Sequence, residues 1–288
     1  MHHFEPRVQS AQDYYWTQTA TMDWCEENYA ACNYIAEFWN TTSNSFFFIL
    51  SIYGALMTHR LGLGHRFTLA YLGIALVGVG SWLFHMTLIY EMQLLDELPM
   101  VYVVCILTYA LVNLGKQQST HYRTRVLAWV MGLEALLFTW LYLAVPNPLV
   151  FLGLYSSQVN SLIVYSFLKY RQIKEENEEE RVFKSRMWTL TKVAFFAYTS
   201  GGALWVADNV ICAKLRLGRS LVGWPLSLLL QFHAWWHILS GFGAYCFVLL
   251  ILGLHLRAQG RLPEFNLVWR AGFLPTLGLK TAKTVKMA

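Results

Sequence analysis

Charged residues are scarce in this chain. Asp, Glu, Lys and Arg make up 14% of its 288 residues, whereas soluble proteins contain about 25%. The run from Ser220 to Leu256 contains none of them, and 56% of the chain is hydrophobic. This composition excludes an ordinary soluble domain and indicates a membrane protein. The net charge of +5 does not point to nucleic acid, because the basic residues lie in loops and in the tail.

Two further features are missing. Residues 1–37 lack a long apolar run and are rich in Asp and Glu, so they do not resemble a cleavable signal peptide. Five cysteines are too few for a disulfide scaffold, although one bridge can form if two of them lie on the oxidising side of the membrane.

Seven uncharged or nearly uncharged runs are each long enough to cross a bilayer core of about 30 Å. They cover residues 38–59, 67–90, 98–115, 126–145, 149–168, 189–207 and 220–256. The pattern predicts an all-α, multi-pass membrane protein with seven transmembrane helices. It divides the chain into an N-terminal segment (1–37), a transmembrane domain (38–256) and a basic tail (257–288).

Basic residues favour alternate loops, which places the N-terminus in a lumen or outside the cell and the C-terminal tail in the cytosol. Lys214, Arg216 and Arg219 are exceptions, because they lie in a loop that this topology makes luminal. The acidic run 175–180 is interpreted as the solvated part of a cytosolic loop. The basic tail can contact anionic membrane lipids.

The most informative motif lies in the last apolar run, Gln231-Phe-His-Ala-Trp-Trp-His237. His233 and His237 are four residues apart, so a helix places them on one face, one turn apart. Two imidazoles at this spacing can bind one metal ion. The alternative is a pair of histidines that face the helix bundle and are hydrogen-bonded by neighbouring side chains.

A second pair of polar residues occurs in the second run. Ser81 and His85 are also four residues apart, and Asp96 follows at the predicted start of the third helix. Taken singly, Ser81 can be a packing residue and Asp96 a carboxylate favoured by the helix dipole. The predicted topology, however, places these three residues at the same luminal level as His233 and His237.

Three histidines with a fourth coordination position open are typical of catalytic zinc. Zinc lowers the pKa of a bound water towards neutrality. Asp96 can accept the proton, and the Ser81 hydroxyl can stabilise the oxyanion. The predicted reaction is zinc-assisted hydrolysis of a bond held within the membrane, and therefore of a lipid.

Oxygen ligands are concentrated just before the first helix. Asp23, Glu26, Asn28 and Glu37, with a main-chain carbonyl such as that of Trp24, offer about five ligands of the kind that calcium prefers. The alternative is an acidic helix start, in which Asp23 is the N-cap and the glutamates lie near the positive end of the helix dipole.

The positions of the cysteines do not by themselves determine which two form a disulfide. Cys25 and Cys212 are both luminal in this topology, Cys32 is a competing partner, and Cys105 and Cys246 are interpreted as buried thiols. Glu134, in the fourth helix, has no assigned function; it faces the bundle or pairs with a neighbour. Asp208 and Asn209 are interpreted as caps or as groups that support a ligand.

Several blocks resemble the alkaline ceramidases, and above all the type 3 branch that includes phytoceramidases. They are Asp23-Trp-Cys-Glu-Glu-Asn-Tyr29, Ile35-Ala-Glu-Phe-Trp-Asn40, Ser81-x-x-x-His85, Glu91-Met-Gln-Leu-Leu-Asp96-Glu-Leu-Pro-Met100 and Phe232-His-Ala-Trp-Trp-His-Ile-Leu239. The resemblance covers roughly residues 16–256. It implies a seven-helix hydrolase of the endoplasmic reticulum and Golgi that cleaves the ceramide amide to a sphingoid base and a fatty acid.

The resemblance also implies roles for single residues. His85, His233 and His237 would bind zinc, with Asp96 as general base and Ser81 as oxyanion stabiliser. Asp23, Trp24 (through its carbonyl), Glu26, Asn28 and Glu37 would bind calcium, and Cys25 would pair with Cys212. The main alternative function is a seven-helix receptor of the adiponectin-receptor type, which has a related zinc site. A transporter is disfavoured by the lack of an internal repeat.

Overall fold

The computed structural model describes residues 15–116 and 122–280. Its helices are α1 (Phe38–Arg60), α2 (His65–Thr87), α3 (Tyr90–Val112), α4 (Tyr122–Ala144), α5 (Pro148–Arg171), α6 (Glu178–Val210), α7 (Cys212–Val222) and α8 (Phe232–Ala258). Strands β1 (Phe265–Arg270) and β2 (Leu274–Leu279) follow. Residues 1–14 of the predicted N-terminal segment and 281–288 of the predicted tail lie outside the described residues.

Five of these helices, α2, α3, α4, α5 and α8, are long and apolar enough to cross a membrane. The chain is therefore a multi-pass membrane protein. The predicted helical architecture is confirmed in its main part. The first and sixth predicted spans (38–59 and 189–207) and the orientation of the termini stay predictions.

Helix α8 forms the centre of the bundle. Every residue from Val248 to Leu256 is buried, so this half of the helix is covered on all sides. Glycines let neighbouring helices come close to one another, as is usual in membranes. A Cβ added to Gly243 would lie 3.2 Å from the Tyr198 backbone nitrogen, and one added to Gly80 would collide with the Leu95 carbonyl oxygen. The second contact joins α2 to α3 beside Ser81.

The structure corrects two predicted helix boundaries that affect the site. Helix α3 begins at Tyr90 and not near residue 98, so Asp96 lies in its second turn and not at its mouth. The last apolar run is divided into α7, a short 3-10 helix (Leu226–Leu230) and α8. Helix α7 ends at Gly223, which has φ 63°, and at Pro225, which lacks an N–H group. His233 and His237 therefore lie in the first two turns of α8.

Only the first part of the acidic run is a solvated loop, in which Glu175 and Glu176 are exposed. Glu178–Glu180 form the first turn of α6, and Asn177 caps it by accepting a hydrogen bond from the Glu180 N–H at 2.9 Å. Acidic residues are favoured at this end by the helix dipole. Glu179 pairs with Lys280 at 2.7 Å, and Glu180 pairs with Arg257 at 2.9 Å. Glu180 thus ties α6 to the last turn of α8, and Glu179 ties it to the chain that follows the hairpin.

The antiparallel hairpin β1–β2 was not predicted, and the all-α assignment is wrong for this part of the chain. The hairpin packs beside α1 and α8. Tyr245 of α8 donates to the Pro275 carbonyl at 2.7 Å, and Tyr53 of α1 donates to the Thr276 hydroxyl at 3.0 Å. Leu267 and Leu277 are buried. These contacts cover part of the surface of α8 that the helices leave free.

Candidate functional site

Three histidines meet where α2 ends and α8 begins. Their possible ligand atoms all lie within 4.8 Å of one another, and all three side chains are buried. His85 lies in the last turn of α2, and its ring centre is 4.8 Å from that of His237 and 5.1 Å from that of His233. Among the described residues, this is the one cluster of His, Cys, Asp and Glu compact enough to hold an ion. The predicted meeting of the two motifs is thus present.

Two of the rings are oriented by hydrogen bonds from Nδ1. Nδ1 of His85 lies 2.5 Å from the Glu37 carboxylate. Nδ1 of His237 lies 3.1 Å from the Asn40 carbonyl oxygen, with the Ser43 hydroxyl 2.9 Å away. Because carboxylates and carbonyls accept hydrogen bonds, these partners assign the ring proton to Nδ1. Nε2 of each ring is then left free to ligate a metal.

The third ring is oriented by stacking. The Trp24 indole lies on His233, with ring centres 3.9 Å apart and planes inclined by 24°. Nδ1 of His233 is buried and has no hydrogen-bond partner among the described residues. The main-chain N–H of His233 donates to the Asp208 carboxylate, which also accepts from the Cys25 N–H at 3.2 Å. Asp208 therefore supports the start of α8, in agreement with the supporting role foreseen for it.

These observations fit a metal ion. A buried imidazole nitrogen without a protein partner, such as Nδ1 of His233, is costly, and a bound cation nearby offsets that cost by orienting the ring. An all-imidazole donor set suits zinc better than calcium or magnesium, which prefer oxygen. Hydrogen bonds at Nδ1 are also the usual means by which proteins orient zinc-binding histidines.

Ser81 and Asp96 are neighbours across the α2–α3 contact. The Asp96 carboxyl has the Ser81 side chain as a hydrogen-bond partner. Gly80 permits this approach, since a side chain there would collide with the backbone of Leu95 and Asp96. Ser81 is one helical turn, about 5.4 Å along α2, from His85. The structure therefore brings the predicted proton acceptor and hydroxyl beside the histidine cluster.

The predicted calcium ligands also lie close together, next to the N-terminus of α1. Asn28 Nδ2 donates to the Asp23 carboxylate at 3.0 Å, and the Glu37 carboxylate accepts from the Trp24 N–H at 3.0 Å. Oδ1 of Asn28 is buried with no donor among the described residues. An oxygen without a donor, beside carboxylates, is a suitable ligand for a hard cation.

Glu26 caps the N-terminus of α1, although it lies 13 positions before Trp39 in the sequence. Its two carboxylate oxygens accept from the main-chain N–H groups of Trp39 at 2.7 Å and Asn40 at 2.8 Å. Asp23, which the alternative interpretation made the N-cap, does not occupy that position; Glu37 does. Burial and, after it, the nearby Glu37 charge raise the pKa of Glu26 to about 8. Burial likewise raises the pKa of Glu37 well above its usual value. A bound divalent cation would favour both ionised forms.

A disulfide joins Cys25 to Cys212, the pair that the family resemblance implies. Cys32 is free, and Cys105 and Cys246 are buried free thiols as predicted. Two arginines of α7, Arg216 and Arg219, donate hydrogen bonds to the chain around Cys25. Arg216 donates to the Cys25 and Glu26 carbonyls at 2.9 and 3.2 Å. These contacts give a structural reason for basic residues in a loop where the charge pattern disfavours them.

Glu134 lies outside the site. Gln158 of α5 donates to its carboxylate at 2.6 Å, so it pairs with a neighbouring helix, one of the two roles foreseen for it.

The residues that orient the rings were not predicted from the sequence. Glu37 was predicted only as a calcium ligand, and no role was predicted for Asn40, Ser43 or the Trp24 side chain. One signal was available. Residues 40–45 are six consecutive polar residues at the start of a predicted membrane span, and polar side chains in such a position need partners within the bundle.

Comparisons with known proteins cover nearly the whole chain. The model of the Ceramidase family matches residues 16–278. "Alkaline ceramidase 3" of Mus musculus is 38% identical over 268 residues, which are 89% of this chain and 93% of the relative. "Alkaline ceramidase YPC1" of Saccharomyces cerevisiae is 34% identical, over 92% of this chain and 86% of the relative. "Alkaline ceramidase" of Arabidopsis thaliana is 26% identical, over 92% and 95%. The family match extends beyond α8 and includes most of the hairpin.

Proposed function

This chain belongs to the ceramidase family and is a hydrolase; on that premise we propose that it is a zinc-dependent amidohydrolase acting within the membrane. It cleaves the amide of ceramides, including phytoceramide and dihydroceramide types, to a sphingoid base and a free fatty acid. The observation that carries the proposal is the buried cluster of three histidines one turn from the Ser81–Asp96 pair.

His85, His233 and His237 hold the zinc ion, each oriented by the contacts described above. When bound, zinc supplies Lewis acidity, which lowers the pKa of water and polarises a carbonyl group. Glu37, Asn40 and Trp24 keep the three rings in position, so that the donor set is formed before the metal arrives.

Asp96 is the general base. Its carboxylate takes a proton from the attacking water as the new carbon–oxygen bond forms, and it returns that proton to the amide nitrogen as the carbon–nitrogen bond breaks. The Ser81 hydroxyl has one proton to donate. In the free enzyme that proton is directed to Asp96, and with substrate bound it turns to the carbonyl oxygen, where negative charge develops.

Calcium occupies a second site formed by Asp23, Glu26, Asn28, Glu37 and the Trp24 carbonyl. Its role is structural, because Trp24 and Glu37 each also contact a histidine of the cluster. The unpaired Asn28 oxygen and the two buried glutamates support this assignment.

The membrane is that of the endoplasmic reticulum or Golgi, with the N-terminal segment luminal and the residues after α8 cytosolic. The Cys25–Cys212 bridge supports this orientation, because disulfides persist in oxidising compartments and are rare in the cytosol.

The test is product analysis. The full chain, purified in detergent, is incubated with a panel of ceramides, and fatty acid and sphingoid base are quantified by mass spectrometry before and after chelation. Equimolar release that is lost on zinc removal and restored by zinc supports the proposal. Undiminished release from protein shown to be free of zinc refutes the role of the metal. No release from zinc-loaded protein refutes the proposed hydrolysis of ceramides.

A further inference from the structure

The connection between α6 and α8 has an unusual distribution of side chains. It comprises α7 (Cys212–Val222) and the short 3-10 helix (Leu226–Leu230). An 11-residue helix is about 16 Å long, too short to cross a hydrocarbon core of about 30 Å. The connection therefore lies at one end of the bundle, the end that carries the three histidines.

The inner face of α7 combines the buried Leu215 with polar groups whose hydrogen bonds are made to protein. Arg219 is buried, and its guanidinium donates to the Cys25 carbonyl at 2.6 Å and to the Leu230 carbonyl at 2.9 Å. It also pairs with Glu27 at 3.0 Å. Cys212 adds the covalent bridge to Cys25. This face thus fastens α7 to the N-terminal segment.

The outer face is apolar. Leu217 is 60% exposed and Leu221 is 76% exposed, and their spacing of four places them on one side of the helix. Trp224, Leu226 and Leu229 continue this exposed surface beyond α7. A helix on a soluble protein shows the reverse arrangement, with its apolar side inward and its polar side outward.

Exposed apolar side chains on the bundle precede this surface directly in the sequence. Val206 and Val210, in the last two turns of α6, are exposed just before it, and α8 begins two residues after Leu230. Lys214 is exposed on the same side of α7, where a long basic side chain can extend to phosphate. Trp224 stacks on Trp39 at 5.9 Å, and tryptophan is enriched at membrane–water interfaces.

We propose that residues 212–230 form a membrane-interface element, with the apolar face of α7 embedded at the boundary between lipid headgroups and acyl chains. The partner is the bilayer surface itself. Because Arg219 and Cys212 hold the segment that carries Trp24, the bilayer surface also sets the position of the indole that covers His233. This inference does not depend on the reaction that the site performs.

Spin labels measure the depth directly. In a variant with Cys32, Cys105 and Cys246 replaced by serine, which retains the Cys25–Cys212 bridge, single cysteines are introduced by Leu217→Cys and Leu221→Cys. The protein is placed in phosphatidylcholine nanodiscs, and the accessibility of each label to oxygen and to a water-soluble nickel chelate is measured. Leu136→Cys, on the exposed face of the apolar helix α4, is the lipid control, and Gln18→Cys, in the N-terminal segment, is the aqueous control.

Labels at positions 217 and 221 are expected to lie between the two controls, with lower nickel accessibility and higher oxygen accessibility than the label at Gln18. Nickel accessibility equal to that at Gln18 would overturn the proposal, because the face would then lie in water. Low accessibility to both reagents would also overturn it, in favour of a protein partner such as a second copy of the chain. An unchanged thermal melting temperature shows that each labelled variant is folded.

Discussion

Glu37 contacts His85 twice. Its carboxylate lies 2.5 Å from Nδ1 of the ring, and its main-chain N–H donates to the His85 carbonyl at 3.0 Å. The same carboxylate accepts from Asn40 and from the Trp24 N–H. One residue thereby connects the proposed calcium site, the start of α1 and the end of α2 that carries a metal ligand.

Replacement of Glu37 should therefore weaken the binding of both zinc and calcium. In Glu37→Gln the acceptor for the Nδ1 proton of His85 is weakened, and zinc affinity should fall by about 10- to 100-fold, as when other partners of metal ligands are removed. Zinc affinity is measured by competition with a chromogenic chelator. Glu26→Gln is the matched control, because Glu26 caps α1 without contacting a histidine; an equal loss of zinc affinity in both variants would contradict a specific role for Glu37.

Replacement of any histidine in the cluster should remove zinc and activity together. His85→Ala, His233→Ala and His237→Ala are compared with His59→Ala, an exposed histidine at the end of α1 that lies outside the cluster. Zinc per protein is measured by elemental mass spectrometry alongside fatty acid release. Full turnover in a zinc-free variant would show that the cluster is not the catalytic metal site.

Asp96→Asn should separate metal binding from turnover. Asn cannot accept the proton, so turnover is expected to fall by about 10²- to 10⁴-fold, the usual contribution of general acid–base catalysis. Zinc content should stay at the wild-type level, because Asp96 is not among the clustered ligands. Ser81→Ala, the second variant, should also lower turnover while it retains zinc. Near-normal turnover of Asp96→Asn would exclude it as the base.

Loss of the Cys25–Cys212 bridge should lower stability more than loss of any free thiol. The bridge closes a long loop, since its cysteines are 187 positions apart in the sequence, and native disulfides typically contribute about 2–4 kcal/mol. The Cys25→Ser and Cys212→Ser double variant should melt well below wild type in a thermal scan. Cys32→Ser, at a free cysteine, is the control; equal melting temperatures for all three proteins would refute a stabilising role.

The hairpin should contribute measurably to the stability of the bundle. Tyr245→Phe removes the hydrogen bond to Pro275, worth about 1 kcal/mol, and truncation after Gly260 should cost more because it uncovers buried parts of α8. Thermal melting in detergent compares these with Tyr122→Phe, at an exposed tyrosine of α4. A truncated chain as stable as the full chain would show that the hairpin packs without stabilising the bundle.

Local spacing predicted what depends on helix geometry alone. The pairs His233–His237 and Ser81–His85 share helix faces because residues four apart always do. Boundaries were harder to predict. Asp96 was predicted at the start of a helix, because charged residues usually mark the end of an apolar run. In α3, however, charged residues lie within the helix and are stabilised by buried hydrogen bonds, such as the one that Tyr142 donates to Glu97 at 2.5 Å.

The sequence by itself determined the membrane character, most of the helices and the residues that can ligate metal, because each follows from composition or from neighbours within one or two turns. Only the tertiary structure decided which disulfide forms, that Glu37 and Trp24 orient two of the histidines, and that a hairpin covers α8. These features join residues dozens to hundreds of positions apart, and no local preference encodes such distances. They arise from the packing of the helices, which brings the ends of α1, α2 and α8 to one place.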